Sequence, residues 1–243
     1  MSDLHVHGVA RASARATIAA AGARAIEHGD LAAVVTEAGA ETTRAAELMR
    51  RHWRVLEAVA GEATVLPVRF GTAMAGEQAV AEEFLAPQHD ELVAELAALD
   101  GRVQFTVKGT YDEQALLRAI VDRSPRVKSL RERVRTLPDA AAHFERIQLG
   151  ELVAAEVEQE RERDAAWLSE RLERLAVATS AEPVGGLDGA VNAAFLVERE
   201  RAGEFREAVD AAAEHLGGRM QLRLLGPLPP YSFAGEQTVR AWA

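Results

Sequence analysis

The sequence predicts an α+β fold in two domains, the first of them ferredoxin-like. One observation is that stretches with apolar residues at two-residue steps alternate with stretches where they recur at three- and four-residue steps, the periods of strands and helices. A second is that the order through Phe70 is strand, helix, strand, strand, helix, strand, which is the βαββαβ pattern. A third is the turn signal Asp100-Gly101 after a long helical stretch, so we place the domain boundary near residue 100.

The first domain, residues 1–100, is predicted element by element. Leu31 to Val35 is continuously apolar, as a strand buried on both faces would be, and Gly29 permits a tight turn before it. Pro87 interrupts the last helical stretch. The predicted order is a strand at 4–9, a helix at 13–21, strands around 25–26 and at 31–35, a helix at 45–59, a strand at 64–70 and a helical extension at 77–99.

The second domain, residues 101–243, is predicted to combine long helices with a small antiparallel sheet and a Pro-rich C-terminal segment. Strands are predicted at 102–108, 191–197 and 220–224, with a helix at 205–216. Three further helices begin at Asp112, at Ser124-Pro125 and at Leu137-Pro138, the last running to about residue 177. One strand is missing from a modified ferredoxin-like unit, and we place it around 179–184.

Composition limits what the chain can do. Its 243 residues are 48% hydrophobic and 27% charged, which is ordinary globular composition. A net charge of −10 argues against non-specific nucleic-acid binding, which needs clustered cations. The absence of cysteine excludes disulfides and thiolate chemistry. The opening residues show no secretory signal and no apolar run is long enough for a membrane span, so we expect a cytoplasmic protein.

The histidines are the first candidates for chemistry. His5 and His7 lie two apart on a strand and could share a metal, but no compact group of further ligands follows, so we interpret them as solvated or interface residues. His52 lies on the apolar stripe of its helix, and no serine or carboxylate stands out beside it as a catalytic partner. We interpret it as buried or half-buried with a hydrogen-bond partner. No catalytic residue, metal ligand or cofactor is predicted.

Two other patterns favour structural interpretations. The glycines at 185–189 lack the strand and helix that a phosphate-binding loop requires on either side. The charge-dense stretch from Glu156 to Arg163 is interpreted as a solvated helix face, with a coiled-coil-like arm as the alternative.

Two segments call for a more specific explanation. In VLPVRFGT, residues 65–72, Pro67 predicts a sheet edge or bulge. We expect Arg69 and Phe70 to have a structural and not a catalytic role, with Arg69 binding a carboxylate or backbone carbonyls. In GPLPPYSF, residues 226–233, the stiff apolar chain is expected to lie extended against its own domain or a partner. The candidate structural or interface residues of this second segment are Pro229, Pro230, Tyr231 and Phe233, the two aromatic rings being the anchors.

The same two segments resemble the opening and closing signatures of the GvpL/GvpF gas vesicle proteins. LAAVV at 31–35 and VQFTVKGTYDE at 103–113 stand between them in the family's order, so the resemblance spans nearly the whole chain. The first strand departs from the family, since it reads LHVH where tyrosine is usual.

The resemblance implies a non-enzymatic accessory protein of gas vesicle formation. Its implied partners are the small hydrophobic shell protein and other gas vesicle accessory proteins, with no nucleic acid and no membrane. The alternative is a ferredoxin-like enzyme or small-ligand-binding regulatory protein. A closed, ligand-sized pocket lined by His5 or His52 would favour that alternative.

Overall fold

The computed structural model describes residues 3–38, 45–138, 142–185 and 188–235. In its N-terminal part the elements follow the predicted βαββαβ order. They are β1 (Leu4–Arg11), α1 (Arg15–Ala20), β2 (Arg24–His28), β3 (Leu31–Glu37), α2 (Ala45–Glu62), β4 (Val65–Pro67) and a two-residue strand, β5 (Ala73–Met74). The sheet order is β2-β3-β1-β4 with antiparallel pairing, and β5 pairs with the start of β1. This is the predicted ferredoxin-like topology.

The core of this sheet forms where α1 and α2 cover it. Leu31 to Val35 of β3 are fully buried, which confirms the strand predicted from the continuous apolar run. The apolar stripe of α2 packs on the sheet, as its helical periodicity predicts. The main members of this core are Ile18, Ala32, Val34, Val55, Leu56 and Val59.

The helical extension is irregular around Pro87, as predicted. A short α3 (Glu77–Ala79) leads into a π-helical turn at Val80–Leu85 and a 3-10 turn at Ala86–Gln88 before α4 (His89–Ala98). Proline has no N–H to donate to the helix ladder, so the hydrogen-bond pattern changes register here.

The remaining elements repeat the same strand order. They are β6 (Arg102–Tyr111), α5 (Glu113–Arg123), α6 (Pro125–Thr136), α7 (His143–Leu172), β7 (Ala178–Ala181), β8 (Gly189–Glu198), α8 (Ala202–His215) and β9 (Met220–Leu228). The second sheet has the order β7-β8-β6-β9. Since β7 is the second strand of this set, the strand that the sequence left missing is present, slightly earlier than the predicted 179–184.

Two predicted helix starts are confirmed, one predicted from Asp112 as a cap and one from Pro125 in the first helical turn. Asp112 accepts a hydrogen bond from the Ala115 N–H at the start of α5, and Ser124 accepts one from Val127 at the start of α6. The third helix is shorter than predicted. α7 has 30 residues, about 45 Å at 1.5 Å per residue.

The interpretation of Glu156 to Arg163 as a solvated face is wrong for its central residue. Glu160 is only 1% exposed, and Asp164, one turn further, is also buried. Both carboxylates are paired with arginines, and this pairing offsets the free energy that burying a charge costs. Helical periodicity alone did not distinguish this buried charged stripe from an exposed one.

The chain divides into two compact units. The first contains Met1–Phe105, Ala194–Ala202 and Leu225–Ala243, and the second contains Thr106–Ala193 and Gly203–Leu224. The Pro-rich C-terminal segment therefore belongs to the unit built on the N-terminal sheet. Within the described ranges, no helix has the length and apolar character needed to cross a bilayer. Residues 186 and 187 of the predicted glycine-rich loop lie outside the described residues.

Candidate functional site

The loop that follows β4 is the centre of the candidate site. Hydrogen bonds hold it to β1 and close its turn. The Val68 N–H donates to the His7 carbonyl at 2.9 Å and the Val6 N–H to the Thr72 carbonyl at 3.0 Å. Within the loop, the hydroxyl and the N–H of Thr72 both donate to the Arg69 carbonyl, at 2.9 and 3.3 Å. Gly71 has a φ of +93°, a conformation that a residue with a Cβ adopts only with strain. The loop is thus fixed to β1 at both ends and turns sharply between them.

Pro67 and Arg69 illustrate one correct and one wrong expectation. Pro67 lies in β4, the edge strand of the sheet, where its missing N–H leaves no gap in the ladder, as predicted. The expected partner of Arg69 is not found: the side chain is exposed, and within the described residues its guanidinium forms no ion pair or hydrogen bond. Arg69 lies beyond the end of β4, in the loop that turns at Gly71, and its side chain is presented to solvent.

An open pocket of about 450 Å³ lies along this loop. It is lined by Arg69, Phe70, Gly71, Thr72, Ala73, Met74 and Glu83. Glu83 comes from the π-helical turn, an irregularity that occurs frequently at functional sites. The pocket therefore combines one exposed cation, one carboxylate and the apolar side chains of Phe70 and Met74.

Beneath the loop lies a chain of four hydrogen-bonded side chains, which we call the histidine relay. His7 Nε2 lies 2.9 Å from the Thr36 hydroxyl, and His7 Nδ1 lies 3.0 Å from His52 Nδ1. His52 Nε2 lies 3.0 Å from the Tyr231 hydroxyl. The Phe70 ring stands edge-on to His52, with centroids 5.6 Å apart. The relay thus links β1, β3, α2 and the C-terminal segment directly below the loop.

Both histidines of the relay are neutral at neutral pH. Burial, followed by the charges of His52, His5 and Arg51, lowers the pKa of His7 to about 3. Burial, followed by His5, lowers the pKa of His52 to about 4. A neutral imidazole has one N–H and one acceptor nitrogen. Every hydrogen bond of the relay can therefore form in either of two arrangements, with each group donating to the next from Thr36 to Tyr231 or from Tyr231 to Thr36. Burial also raises the pKa of Tyr231.

The histidines do not line a ligand pocket. The space beside His5, His7 and His52 measures about 10 Å³, which is room for one water molecule at most. The described residues contain no group of three or more histidine, aspartate or glutamate side chains placed to hold a metal. The interpretation of His7 as solvated is wrong, because it is 3% exposed. That of His52 as buried with a hydrogen-bond partner is confirmed.

The C-terminal segment packs on the first unit through a turn. The Tyr231 N–H donates to the Pro229 carbonyl, and the Phe233 N–H donates to that of Pro230, so the expected extended conformation is wrong over these residues. Pro229 and Pro230 are buried and Phe233 is half-buried. Tyr231 is the main anchor: besides its bond to His52, its ring lies 4.8 Å from that of Trp53.

Ser232 fixes the same turn from its other side. Its N–H donates to Gln104 Oε1 at 2.9 Å, and Gln104 Nε2 donates to the Ser232 hydroxyl at 3.2 Å. Upstream, a Cβ at Gly226 would meet the Phe105 ring at 2.7 Å, so only glycine fits there. Besides Tyr231 and the half-buried Phe233, which were the expected anchors, the hydrogen-bonded Ser232 therefore also holds this segment.

Sequence reasoning did not find the relay as a unit. His52 was recognised by its place on an apolar stripe, but His7 and Thr36 gave no signal that they contact it. The one usable hint was a histidine on a strand next to Gly8, which packs close against β4. Such close backbone packing leaves little water, and a buried imidazole must then find partners.

The chain is similar to known proteins over nearly its whole length. The profile of the family described as "Gas vesicle synthesis protein GvpL/GvpF" matches residues 4–235. The chain belongs to this family. A Gas vesicle protein F of Streptomyces sp. (strain CB03234) is 34% identical over 212 residues, covering 86% of this chain and 87% of the relative. A Gas vesicle protein L of the same strain is 30% identical over 241 residues, covering 87% and 83%.

Solved structures show the same fold. The crystal structure of GvpF from Anabaena sp. PCC7120 matches with a TM-score of 0.79 at 22% identity, covering 97% of this chain and 99% of that one. GvpF from Microcystis aeruginosa matches with a TM-score of 0.72 at 23% identity, covering 97% and 100%. Membership of the GvpL/GvpF family supports a role of this chain in gas vesicle formation.

Proposed function

We propose that this GvpL/GvpF member acts without catalysis, by binding other gas vesicle proteins during assembly through the loop Val68–Met74. The observation that carries the proposal is the state of Arg69. Its charge is exposed in a pocket and unpaired within the described structure, although the loop around it is tightly hydrogen-bonded. A backbone that is already rigid loses little conformational entropy on binding, and the exposed charge of Arg69 is accessible to a partner.

The pocket indicates what kind of segment it would bind. Arg69 offers a planar fork of donors that suits a carboxylate. Phe70 and Met74 supply apolar surface beside it, so a partner with an acidic residue next to apolar side chains fits. The first partner to consider is the small hydrophobic shell protein, since a subunit of a wall between gas and water exposes apolar surface before assembly.

The histidine relay supports binding rather than chemistry. A general base must be able to take a proton near the working pH and must reach a substrate. His7 and His52 are buried, neutral and occupied at both ring nitrogens. We assign them the role of holding β1, α2 and the C-terminal turn beneath Phe70.

Capture of the shell protein on co-expression tests this proposal. Arg69→Glu should reduce capture by about tenfold or more, because it replaces the attractive charge by a repulsive one. Phe70→Ala should reduce it as well. Arg54→Glu, an exposed residue of α2, is the matched control with the same charge change.

Thermal melting of the same variants separates binding from folding. Arg69→Ala should leave the unfolding free energy within about 0.5 kcal/mol of the parent, as surface substitutions usually do. Capture by Arg69→Glu equal to that of the parent, with the protein folded, would refute the loop as the binding site.

A further inference from the structure

The charge of this acidic chain is distributed unevenly. Helix α6 holds five of the 28 basic residues but only one of the 38 acidic ones, within 12 positions. All five cationic side chains are exposed: Arg126, Lys128, Arg131, Arg133 and Arg135. The basic helix therefore stands out from a molecule whose net charge is −10.

Helix stability does not explain this pattern. Arg133 pairs with Glu145 at 3.4 Å and Arg135 with Glu132 at 2.7 Å, and cations suit the last turn of a helix. Arg126 and Lys128 lie in the first turn, where the helix dipole disfavours positive charge. Neither they nor Arg131 forms an ion pair within the described part of the chain.

A groove of about 410 Å³ runs between α6 and α7. It is lined by Pro125, Arg126, Ser129, Leu130, Arg133, Gln148 and Leu152. Arg126 and Arg133 are two helical turns apart and lie on one side of α6. Leu130 and Leu152 contribute apolar surface. The groove thus joins two cations to an apolar lining within the second unit.

An exposed aromatic residue extends this surface. Phe144, Gln148 and Leu152 recur at four-residue steps on α7, so Phe144 lies on the helix stripe that lines the groove. Phe144 is 80% exposed and Ile147, one turn later, is 48% exposed. Aromatic and apolar side chains presented in this way beside charged residues are typical anchors of protein interfaces.

We propose that the α6–α7 groove, with Phe144, binds an acidic amphipathic segment of a partner protein. Carboxylates of the segment would pair with Arg126 and Arg133, and its apolar side chains would contact Leu130, Leu152 and Phe144. A nucleic acid offers phosphates for the two cations, but its bases stack on aromatic rings, whereas the apolar lining of the groove itself is aliphatic, Leu130 and Leu152. An anionic bilayer is flat, so it cannot enter a groove, and the acidic remainder of the chain would be repelled by it. This site is independent of the loop around Arg69.

Fluorescence anisotropy with a labelled helical peptide of about 15 residues, carrying leucines on one stripe and glutamates beside it, tests the proposal on the full chain. The double variant Arg126→Glu/Arg133→Glu should weaken binding by about tenfold or more. Phe144→Ala should weaken it by about threefold or more. The double variant Arg118→Glu/Arg223→Glu makes the same charge change elsewhere in the second unit and should bind as the parent does. A peptide with lysine in place of glutamate should not bind.

Other outcomes would overturn the proposal. Equal loss of binding in both double variants would mean that only net charge matters, and unchanged binding in the groove variants would place the segment elsewhere. Binding of duplex DNA or of phosphatidylserine vesicles that depends on Arg126 and Arg133, without binding of the acidic peptide, would assign the surface to a different class of ligand. Circular dichroism of each variant verifies that it is folded.

Discussion

Both units of this protein bury polar side chains, but one buries neutral groups and the other buries charged pairs. In the first unit, the histidine relay contains only neutral groups, arranged as a chain in which each ring nitrogen has one partner. In the second unit, Glu160 and Asp164 are buried as carboxylates surrounded by arginines. We refer to the latter as the arginine–carboxylate network.

The network is also denser than the relay. Glu160 pairs with Arg123, Arg163 and Arg219, while Asp164 accepts from Arg219 at 2.7 Å and from the Tyr111 hydroxyl at 2.6 Å. Burial, and then the bond to Asp164, raises the pKa of Tyr111. Removing one member should therefore cost more stability in the network, where charged groups lose a partner. The relay, whose histidines are neutral, should be the part whose stability responds to pH between about 5 and 7.5.

Breaking the network should have the largest effect. Glu160→Ala leaves Arg219, which is partly buried, with Asp164 as its one remaining carboxylate, so the loss should lie towards the lower end of the about 3–5 kcal/mol that breaking a buried pair costs. Denaturation by urea should show this decrease in the free energy of unfolding. Glu158→Ala is the control: Glu158 lies two residues before Glu160, its side chain is 63% exposed, and the loss of its pair with Arg161 should cost at most about 1 kcal/mol. Equal small losses in both variants would mean that the network does not stabilise the fold.

Acidification should test the relay. The pKa values of His7 and His52 are lowered from 6.5 to about 3 and about 4, so below pH 6.5 the unfolded chain binds protons that the folded chain does not. The stability contributed by each neutral histidine is therefore complete above pH 6.5 and is lost as the pH falls towards the folded pKa, by at most about 1.4 kcal/mol per pH unit for each residue. Urea denaturation between about pH 7.5 and 5 measures this slope.

Two variants assign that slope to the relay. His52→Gln removes one titrating group. Below pH 6.5 it should reduce the slope of the unfolding free energy against pH by up to about 1.4 kcal/mol per pH unit, the slope that one bound proton contributes. His143→Gln changes an exposed histidine of α7 and should leave the slope unchanged. If the two variants had the same pH dependence as the parent, the buried histidines would not be the source of the acid sensitivity.

The end of the relay should give the smallest effect. Tyr231→Phe removes one hydroxyl but keeps the ring against Trp53, so the cost is that of one hydrogen bond, about 1 kcal/mol. A double-mutant cycle with His52→Gln measures the coupling directly. Additive losses would show that the Tyr231 hydroxyl and His52 do not interact in solution.

The elements that depend on local sequence could be predicted. β3 was evident from five consecutive apolar residues, α2 from its stripe, and α5 from Asp112, because each signal acts on its own backbone within a few residues. The β7 strand was placed from the expected topology more than from its composition, since ATSA is weak as a strand sequence.

The contacts that bring distant residues together could not be predicted. The relay joins positions 7, 36, 52 and 231, and nothing local in any of them points to the others. The same holds for Arg199, which donates to the carbonyls of Ala60 and Gly61 at the end of α2. The partner expected for Arg69 is not found among the described residues for a local reason: β4 ends at Pro67, three residues before the predicted end of that strand at Phe70, so Arg69 lies beyond it.

Complementation in cells tests the central claim, that the exposed loop carries the function while the relay only supports it. A strain lacking this gene is supplied with Arg69→Glu or, as the matched control, Arg54→Glu, and gas vesicles are counted by electron microscopy at equal protein levels. Loss of vesicles with Arg69→Glu and their presence with Arg54→Glu is the predicted result. Normal gas vesicle numbers with a folded Arg69→Glu protein would contradict the account.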